Sequence, residues 1–266
     1  MSSDPLVITS TQNPKIKSLL ALQEKSSERR RTGLFVVEGR RELEQCIAAG
    51  YEVECLYTLD DSLFPNRPTY IVSPHVYERI AYRGTTEGIV AVVRSKSHTL
   101  ENLPSSPSPL YIVLESVEKP GNLGAVLRSA DAAAATAVIV CDPLTDLYNP
   151  NLIRASLGAC FTVPTVACTS EACIAFLKAH GIRILTAQLQ DSRFYYAENM
   201  TGPTAIVMGT ESTGLTDHWR QAADAHIRIP MQGRLDSLNV SVSAAILLFE
   251  AVRQRNGQNP HAQDLS

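Results

Sequence analysis

The 266-residue sequence has no continuous run of about eighteen apolar residues, which is the length that a helix needs to cross a bilayer. Its first eight residues lack the basic segment and following apolar stretch of a secretory signal peptide. These absences predict neither a membrane span nor an export signal. The hydrophobic content of 44% and the charged content of 19% are typical of a globular chain with a substantial core.

The six cysteines include no Cys-x-x-Cys pair, and the six histidines lie away from them. A zinc site ordinarily draws ligands from residues clustered in sequence, so we expect no metal. Cys141 and Cys160 lie in apolar runs and are predicted to be small buried side chains. This use of cysteine favours a reducing cytoplasm.

The sequence also lacks an excess of positive charge, since its formal net charge is −3, whereas nucleic-acid-binding proteins ordinarily present a basic surface. The total hides a local concentration, because residues 12–41 contain eight basic and three acidic side chains. This basic cluster is either a solvated helix face with a flexible turn or a site for phosphate groups. Its basic members are Lys15, Lys17, Lys25, Arg29, Arg30, Arg31, Arg40 and Arg41.

The segment NLPSSPSP, residues 102–109, has three prolines, three serines and no apolar periodicity, which is typical of a linker. We therefore expect a small α/β domain over 1–100, a linker over 101–109, a second domain over 110–257 and a polar tail over 258–266. In the first domain the patterns predict helices over 13–25, 40–49 and 76–82 and strands over 34–38, 53–58 and 88–93.

The second domain alternates short, β-branched apolar runs with helical stretches. Such runs are typical of buried parallel strands, and the alternation predicts a doubly wound, Rossmann-like parallel sheet. The predicted strands are 110–114, 137–141, 182–187 and 204–208, and the predicted helices are 123–135, 150–157, 171–180 and 240–255. In the last helix, Val242, Ala245, Ile246 and Phe249 form an apolar stripe.

Ligands of such sheets lie beyond the carboxyl ends of the strands, which makes three strand-end segments candidates for a site. The first, ESVEKPGNLGAVLRSAD, contains Asn122 as a helix cap and Arg128 within two turns of the helix start. It is neither a Gly-x-Gly-x-x-Gly fingerprint nor a Gly-Lys-Ser/Thr loop. Nicotinamide and nucleoside triphosphate binding are therefore poorly supported.

The second segment, GTESTGL, places Glu211 in a loop between two glycines, where a lone carboxylate is more often a capping residue than a catalyst. The third segment follows a short strand that reaches Ile229. It places Asp236, Ser237 and Asn239 just before the last helix, where simple helix capping explains them equally well. Taken singly, none of the three segments indicates a function.

Together and in this order, the segments resemble the SpoU branch of the SPOUT RNA methyltransferases. The matching stretches are EKPGNLGAVLRSADAAAATAVIV, IVMGTESTGL and IRIPMQGRLDSLNVSVSAAILLFE, and the resemblance covers about residues 108–255. The N-terminal stretch, which begins ITSTQNPKIKSLLALQEKSSERRRTGLFVVEG, more loosely resembles the small RNA-binding domain often fused to this family.

The resemblance implies a deep trefoil knot, S-adenosylmethionine as methyl donor, a homodimer, and methylation of a ribose 2′-hydroxyl in structured RNA, with ribosomal RNA favoured. By matching position it implies the catalytic residues Asn122, Arg128, Glu211, Ser237 and Asn239 and the cofactor contacts Met208, Gly209, Ile229, Met231 and Leu238. Because arginine is effectively always protonated, we interpret Arg128 as a phosphate grip and alkoxide stabiliser rather than a general base. The basic cluster is then interpreted as an RNA contact through Lys15, Lys17, Arg29, Arg30 and Arg31.

Two other functions stay open. One is methylation of transfer RNA by a member of the same family. The other is a non-catalytic RNA-binding or ribosome-assembly factor that has kept the fold, against which the intact set of five catalytic positions argues. The sequence lacks the glycine fingerprint of an ordinary dinucleotide-binding enzyme, which argues against that function.

Overall fold

The computed structural model describes residues 7–60, 67–81, 88–210 and 212–257. The chain divides into two compact units. The N-terminal unit comprises Met1–Lys96 and Tyr148–Thr162, and the C-terminal unit comprises Ser97–Leu147 and Val163–Ser266. The division differs from the expected one in the segment 148–162, because the aromatic and aliphatic side chains of that segment pack into the N-terminal unit.

The N-terminal unit contains a mixed five-stranded sheet in the order β1-β4-β3-β5-β2. Its strands are β1 (Val7–Ile8), β2 (Leu34–Glu38), β3 (Val53–Thr58), β4 (Thr69–Val72) and β5 (Ile89–Arg94). Its helices are α1 (Pro14–Glu24), α2 (Ser26–Thr32), α3 (Arg40–Ala48), α4 (Pro74–Ile80), α6 (Pro150–Ser156) and α7 (Ala159–Thr162). Strand β5 is antiparallel to both β2 and β3, whereas β4 is parallel to β1 and β3. The predicted small α/β arrangement is therefore present.

Alternating side chains of the sheet enter two apolar layers, as the two-residue period of a strand requires. One layer includes Ile16 and Leu19 of α1, and the other includes Phe35 and Phe161. The ring of Phe35 also stacks on Tyr148 at a centroid distance of 4.3 Å. These aromatic contacts explain why a segment distant in sequence belongs to the N-terminal unit.

The structure corrects the prediction that Arg29 contacts RNA. The side chain is only 5% exposed, and its Nη1 donates to the carbonyl oxygens of Leu22 (2.5 Å) and Gln23 (3.1 Å). The last carbonyls of a helix have no partner within the helix, so a buried guanidinium that binds them caps α1. Arg29 therefore has a structural role in the N-terminal unit and is not one of the RNA contacts.

The C-terminal unit contains a seven-stranded sheet in the order β10-β12-β9-β11-β6-β7-β8, in which every neighbouring pair is parallel. Its strands are β6 (Leu110–Glu115), β7 (Ala137–Cys141), β8 (Thr165–Cys168), β9 (Arg183–Ala187), β10 (Arg193–Phe194), β11 (Thr204–Met208) and β12 (Ala225–Arg228). Its helices are α5 (Pro120–Ala132), α8 (Ser170–Ala179), α9 (Asp217–Ala222) and α10 (Val240–Asn256). The predicted parallel α/β sheet is confirmed.

Asn239 is the N-cap residue of α10, and its Oδ1 accepts from the backbone N of Ser241 at 3.0 Å. Its buried face includes Leu247 and Leu248. The stripe predicted from sequence is mostly outside that face, since Val242 and Phe249 are 47% and 48% exposed. The apolar residues of α10 thus form two faces, one in the core and one at the surface.

In the described part of the chain, no helix has the length and the apolar character that a membrane crossing requires.

Replacing Arg29 with alanine should lower the free energy of unfolding by about 1–3 kcal/mol, because one buried and one partly buried carbonyl lose a charged donor. The exposed neighbour Arg30 is the matched control, and its replacement should change stability by less than about 0.5 kcal/mol. Urea unfolding followed by circular dichroism measures both values. Equal effects of the two substitutions would show that Arg29 does not cap α1.

Candidate functional site

A cleft of about 400 Å³ opens beyond the carboxyl ends of β9, β11 and β12. This main cleft is where the topology rule for open parallel sheets places a ligand. All five cofactor contacts that the resemblance implies line it, namely Met208, Gly209, Ile229, Met231 and Leu238. The structure therefore brings together, in one cavity, residues from two chain segments that are separated by about twenty positions.

The loop after β11 folds back tightly on itself beside Gly209. A Cβ atom on Gly209 would lie only 2.2–2.5 Å from backbone atoms of Gly214 and Leu215, which is closer than real Cβ contacts allow. The backbones of Thr210 and Gly214 exchange hydrogen bonds of 3.3 and 3.1 Å. Only glycine permits this approach of two backbones, so Gly209 fixes the shape of one wall of the cleft.

A buried carboxylate anchors the far end of the same loop. Glu115, the last residue of β6, is 4% exposed and accepts from the backbone N and the Oγ1 of Thr216 at 2.9 and 2.7 Å. A buried carboxylate needs such partners, because its desolvation is otherwise costly. Gly209 and Thr216, at the two ends of this connection, are thus held by backbone packing and by Glu115.

A second, smaller cleft of about 290 Å³ adjoins the first, and Gly209, Thr210 and Val240 line both. Asn122, in the first turn of α5, lines the smaller cleft. Its Oδ1 accepts from the Nδ2 of Asn239 at 3.2 Å. Asn239 therefore caps α10 and also joins the first predicted segment to the third.

Two buried polar atoms of the main cleft have no hydrogen-bond partner in the described part of the chain, the Oε1 of Gln188 and the Nε of Arg220. One is an acceptor and the other is a charged donor. A ligand that offers a donor and an acceptor in this cleft would pair both atoms.

Of the remaining catalytic candidates, one lines the main cleft, one lies outside both clefts and one is not described by the structure. Ser237 lines the main cleft, and its Oγ donates to the Oδ1 of Asp236 at 3.4 Å. Arg128 is exposed on α5 and lines neither cleft, and its side chain forms no hydrogen bond or ion pair with any described residue. Because it lies six residues beyond Asn122 on one helix, the two side chains point in directions about 120° apart. Glu211 lies outside the described residues.

Several residues that line the main cleft were not predicted from the sequence. Gln188, Leu189 and Gln190 follow β9, and Arg228 ends β12. The rule that ligands lie beyond strand ends applies to β9 as well as to β11, so it would have found Gln188. Arg220 lies on α9, a six-residue helix whose sequence, DHWRQA, has no apolar period.

The other members of the predicted RNA contact lie at the surface of the N-terminal unit. Lys15, Lys17, Arg30 and Arg31 are exposed. Arg31 pairs with Glu28 at 2.5 Å, and the Nζ of Lys15 lies 4.6 Å from the centre of the Tyr70 ring. A hydrogen bond with Tyr70 raises the pKa of Lys15 above its ordinary value. These four cations thus lie at the surface, where RNA phosphates can reach them, and one of them, Arg31, forms an ion pair with Glu28.

Comparison with known proteins matches two family models to successive parts of the chain. Residues 109–249 match the model of the SpoU rRNA methylase family, and residues 13–91 match an MRM3-like substrate-binding domain. Among curated relatives, the chain is 28% identical over 247 residues to the 23S rRNA (guanosine(2553)-2′-O)-methyltransferase RlmP of Bacillus subtilis. That alignment covers 91% of this chain and 97% of the relative. The chain is also 40% identical over 181 residues to the 23S rRNA (guanosine-2′-O-)-methyltransferase RlmB of Vibrio vulnificus. That alignment covers 66% of this chain and 73% of the relative.

Solved structures agree with these matches. An RNA 2′-O ribose methyltransferase superposes with a TM-score of 0.82 at 40% identity, covering 94% of this chain and all of the other. An AdoMet-bound rRNA methyltransferase from Sinorhizobium meliloti superposes with a TM-score of 0.86 at 28% identity, covering 93% and 97%. Both likenesses extend over most of the residues of each unit.

Replacing Gly209 with alanine should lower the free energy of unfolding by about 1–3 kcal/mol, because the added methyl group overlaps backbone that must move. Gly233, where an added methyl group would meet no atom within 4 Å, is the matched control and should change stability by less than about 0.5 kcal/mol. Trp219, the single tryptophan, is fully buried in the C-terminal unit, so its fluorescence during urea unfolding measures both. Equal stability of the two variants would contradict the close packing at Gly209.

Proposed function

The chain belongs to the SpoU rRNA methylase family, and we propose that it transfers a methyl group from S-adenosylmethionine to a ribose 2′-hydroxyl of ribosomal RNA. The observation that carries this proposal is the main cleft, which unites the five family-matched cofactor contacts at the carboxyl edge of the parallel sheet. The relatives named as 23S rRNA 2′-O-methyltransferases support the substrate and the reaction. With ribosomal RNA as substrate, the proposal includes a cytoplasmic location.

The residues of the main cleft fit S-adenosylmethionine. Apolar side chains such as Ile227, Ile229 and Leu247 suit the faces of the adenine ring, and the volume lies in the range of small-molecule pockets. The unpartnered Oε1 of Gln188 and Nε of Arg220 match the amino groups and the carboxylate of such a molecule. A neighbour with bound AdoMet supports the same assignment.

Bound in the main cleft, S-adenosylmethionine would supply an electrophilic methyl group, and its sulfonium sulfur would leave as a neutral thioether. The chain's part is to hold the 2′-oxygen in line with that methyl group and to favour loss of the hydroxyl proton. The linked side chains of Asn122 and Asn239 offer amide donors and acceptors at the rim between the two clefts. We assign them the positioning of the ribose, together with Ser237.

Arg128 lines neither cleft, so its role in gripping an RNA phosphate and stabilising the developing oxyanion is assigned from its family-matched position alone. Its guanidinium is exposed and unpaired among the described residues, so binding RNA breaks no existing ion pair. A positive charge beside the 2′-oxygen favours the alkoxide and thus the departure of the hydroxyl proton to water. Glu211 retains its family-matched role as a proposal, and the trefoil knot likewise stays a prediction.

The N-terminal unit holds the RNA. Lys15, Lys17, Arg30 and Arg31 supply cations at its surface, and the match to an MRM3-like substrate-binding domain supports this role. Residues 97–266 contain 15 acidic and 11 basic side chains. This acidic excess does not oppose RNA binding, because phosphate groups need only a local positive patch.

We further propose a homodimer formed through α10. Val242, Ala245, Ile246 and Phe249 recur at helical spacing, and the two outer members are nearly half exposed. An apolar stripe at the surface of a helix that also has a buried face marks an association surface. A second copy presents the same stripe, so a two-fold axis covers both at once.

Incubating the purified chain with methyl-labelled S-adenosylmethionine and unmodified 23S rRNA tests the proposed function. After digestion to nucleosides, the label should be found in one 2′-O-methylnucleoside. Transfer RNA serves as the competing substrate. Label in transfer RNA alone would favour a transfer RNA methyltransferase of the same family. No label in any RNA, together with no binding of S-adenosylmethionine in calorimetry, would favour a non-catalytic RNA-binding protein.

Replacing Arg128 with alanine should lower turnover by roughly two to four orders of magnitude, because the oxyanion loses its positive partner. The affinity for S-adenosylmethionine, measured by calorimetry, should stay unchanged, because Arg128 does not line the main cleft. Lys178, an exposed cation on α8, is the matched control, and its replacement with alanine should change neither quantity. Turnover within a few-fold of the unmodified chain would remove Arg128 from the mechanism.

RNA affinity should fall with salt, with a log–log slope of roughly −3 if four phosphate contacts form to single-stranded RNA. Replacing Arg30 with alanine should reduce the magnitude of the slope by about 0.7, because one contact is lost. Filter binding across a range of salt concentrations measures the slope, with the Lys178→Ala variant as control. A salt slope of zero would contradict an electrostatic contact between RNA and the N-terminal unit. A slope that the Arg30→Ala substitution leaves unchanged would exclude Arg30, on α2, from that contact.

Replacing Phe249 with glutamate should convert the dimer to a monomer, because burying an unpaired carboxylate in an apolar interface is costly. Size-exclusion chromatography with light scattering measures the mass, and Lys178→Glu controls for added negative charge. A monomeric unmodified chain, or a Phe249→Glu chain that stays dimeric, would exclude this interface.

A further inference from the structure

Three cysteines meet at one place in the C-terminal unit. Cys141 and Cys168 are the last residues of β7 and β8 and lie directly opposite each other in the strand pairing. Cys173 lies in the first turns of α8. Their sulfur atoms all lie within 4.8 Å of one another. The spacing rule that predicted no metal site compares neighbours in sequence, and the fold has assembled this cluster from separate segments.

We propose that Cys141, Cys168 and Cys173 bind one soft monovalent cation, Cu(I), through their three sulfur atoms. The site is independent of the methyl-transfer function, since none of these residues lines either cleft. It would join two strands and a helix that are otherwise held together by apolar contacts and hydrogen bonds alone.

The number of thiols favours a metal over a disulfide. A disulfide uses two sulfurs and leaves a third, and all six cysteines of the chain are free. Cys141 and Cys173 are fully buried, which excludes water from the metal, and Cys168 is partly exposed, which gives an entry path. Cysteines that serve only as small apolar side chains have no reason to converge on one point.

The donor set selects Cu(I) among thiophilic ions. No histidine, aspartate or glutamate of the described chain joins the group of three sulfurs. The neighbouring carboxylate of Asp142 accepts from the backbone N and the Oγ of Ser170 at 3.1 and 2.6 Å, so it is already occupied. Structural zinc takes four ligands, whereas soft thiolates alone suit Cu(I), which is stable with three.

Binding of Cu(I) requires the three thiols to lose their protons. Hydrogen bonds from Cys141 and Cys173 lower the pKa of the Cys168 thiol, whereas hydrogen bonds within the cluster and burial raise the pKa of Cys141 and of Cys173. When Cu(I) binds, it replaces the thiol protons, which leave to solvent, so its affinity should rise with pH.

Titration of the reduced, full-length chain with Cu(I), under anaerobic conditions and in competition with bicinchoninate, tests the site. We expect one tightly held equivalent per chain. X-ray absorption at the copper edge should show three sulfur neighbours and no nitrogen or oxygen. This measurement needs no variant, so it stands even where a substitution impairs folding. A two-sulfur shell, or a shell containing nitrogen or oxygen, would overturn the assignment.

Replacing Cys168, the least buried of the three, with serine should lower the Cu(I) affinity at least about 100-fold, since loss of outer-shell partners alone costs 10–100-fold. Cys160→Ser is the matched control, because it removes a thiol of the N-terminal unit close to Cys46. It should leave the affinity unchanged. Equal affinities of the Cys168→Ser and unmodified chains would place the copper elsewhere, and a loss confined to Cys160→Ser would place it at the Cys46–Cys160 pair.

Discussion

The contact between Gly209 and the backbone of Gly214 and Leu215 is the constraint on which the site depends. It turns the chain sharply at the end of β11, directly over the carboxyl edge of the parallel sheet. The hydrogen bonds from Thr216 to the buried Glu115 hold the other end of the turn. With both ends fixed, Gly209, Thr210 and Ser212 form a wall shared by the main and smaller clefts. Residues that follow β9, residues of α9 and β12, and residues on either side of the start of α10 line the rest of the main cleft.

The sequence predicts the regular parts of the fold because strands and helices with strong periodicity need no distant information. The strands 34–38, 53–58, 137–141 and 204–208 are observed at the predicted residues. Strands β1, β8 and β10 have two to four residues, too few for a period to be recognised. The position of 148–162 depends on contacts with Phe35 and Tyr51, which no local pattern specifies.

The site was predictable to the extent that it is built from strand ends. Met208, Gly209 and Ile229 follow from the topology rule and the family match together. The unpartnered atoms of Gln188 and Arg220 required the fold, because only three-dimensional packing shows that a polar atom is buried. The same limit explains Arg29 and the cysteine cluster, since charge and spacing along the chain do not show which side chains point inward.

The claim that the chain methylates ribosomal RNA on a ribose is tested most directly by mapping 2′-O-methyl groups across the total RNA of cells with and without this protein. The proposed function predicts the loss of a ribose methyl group from ribosomal RNA, restored by the unmodified chain and not by the Arg128→Ala variant. An unchanged pattern in ribosomal RNA, or a methyl group lost only from transfer RNA, would contradict it.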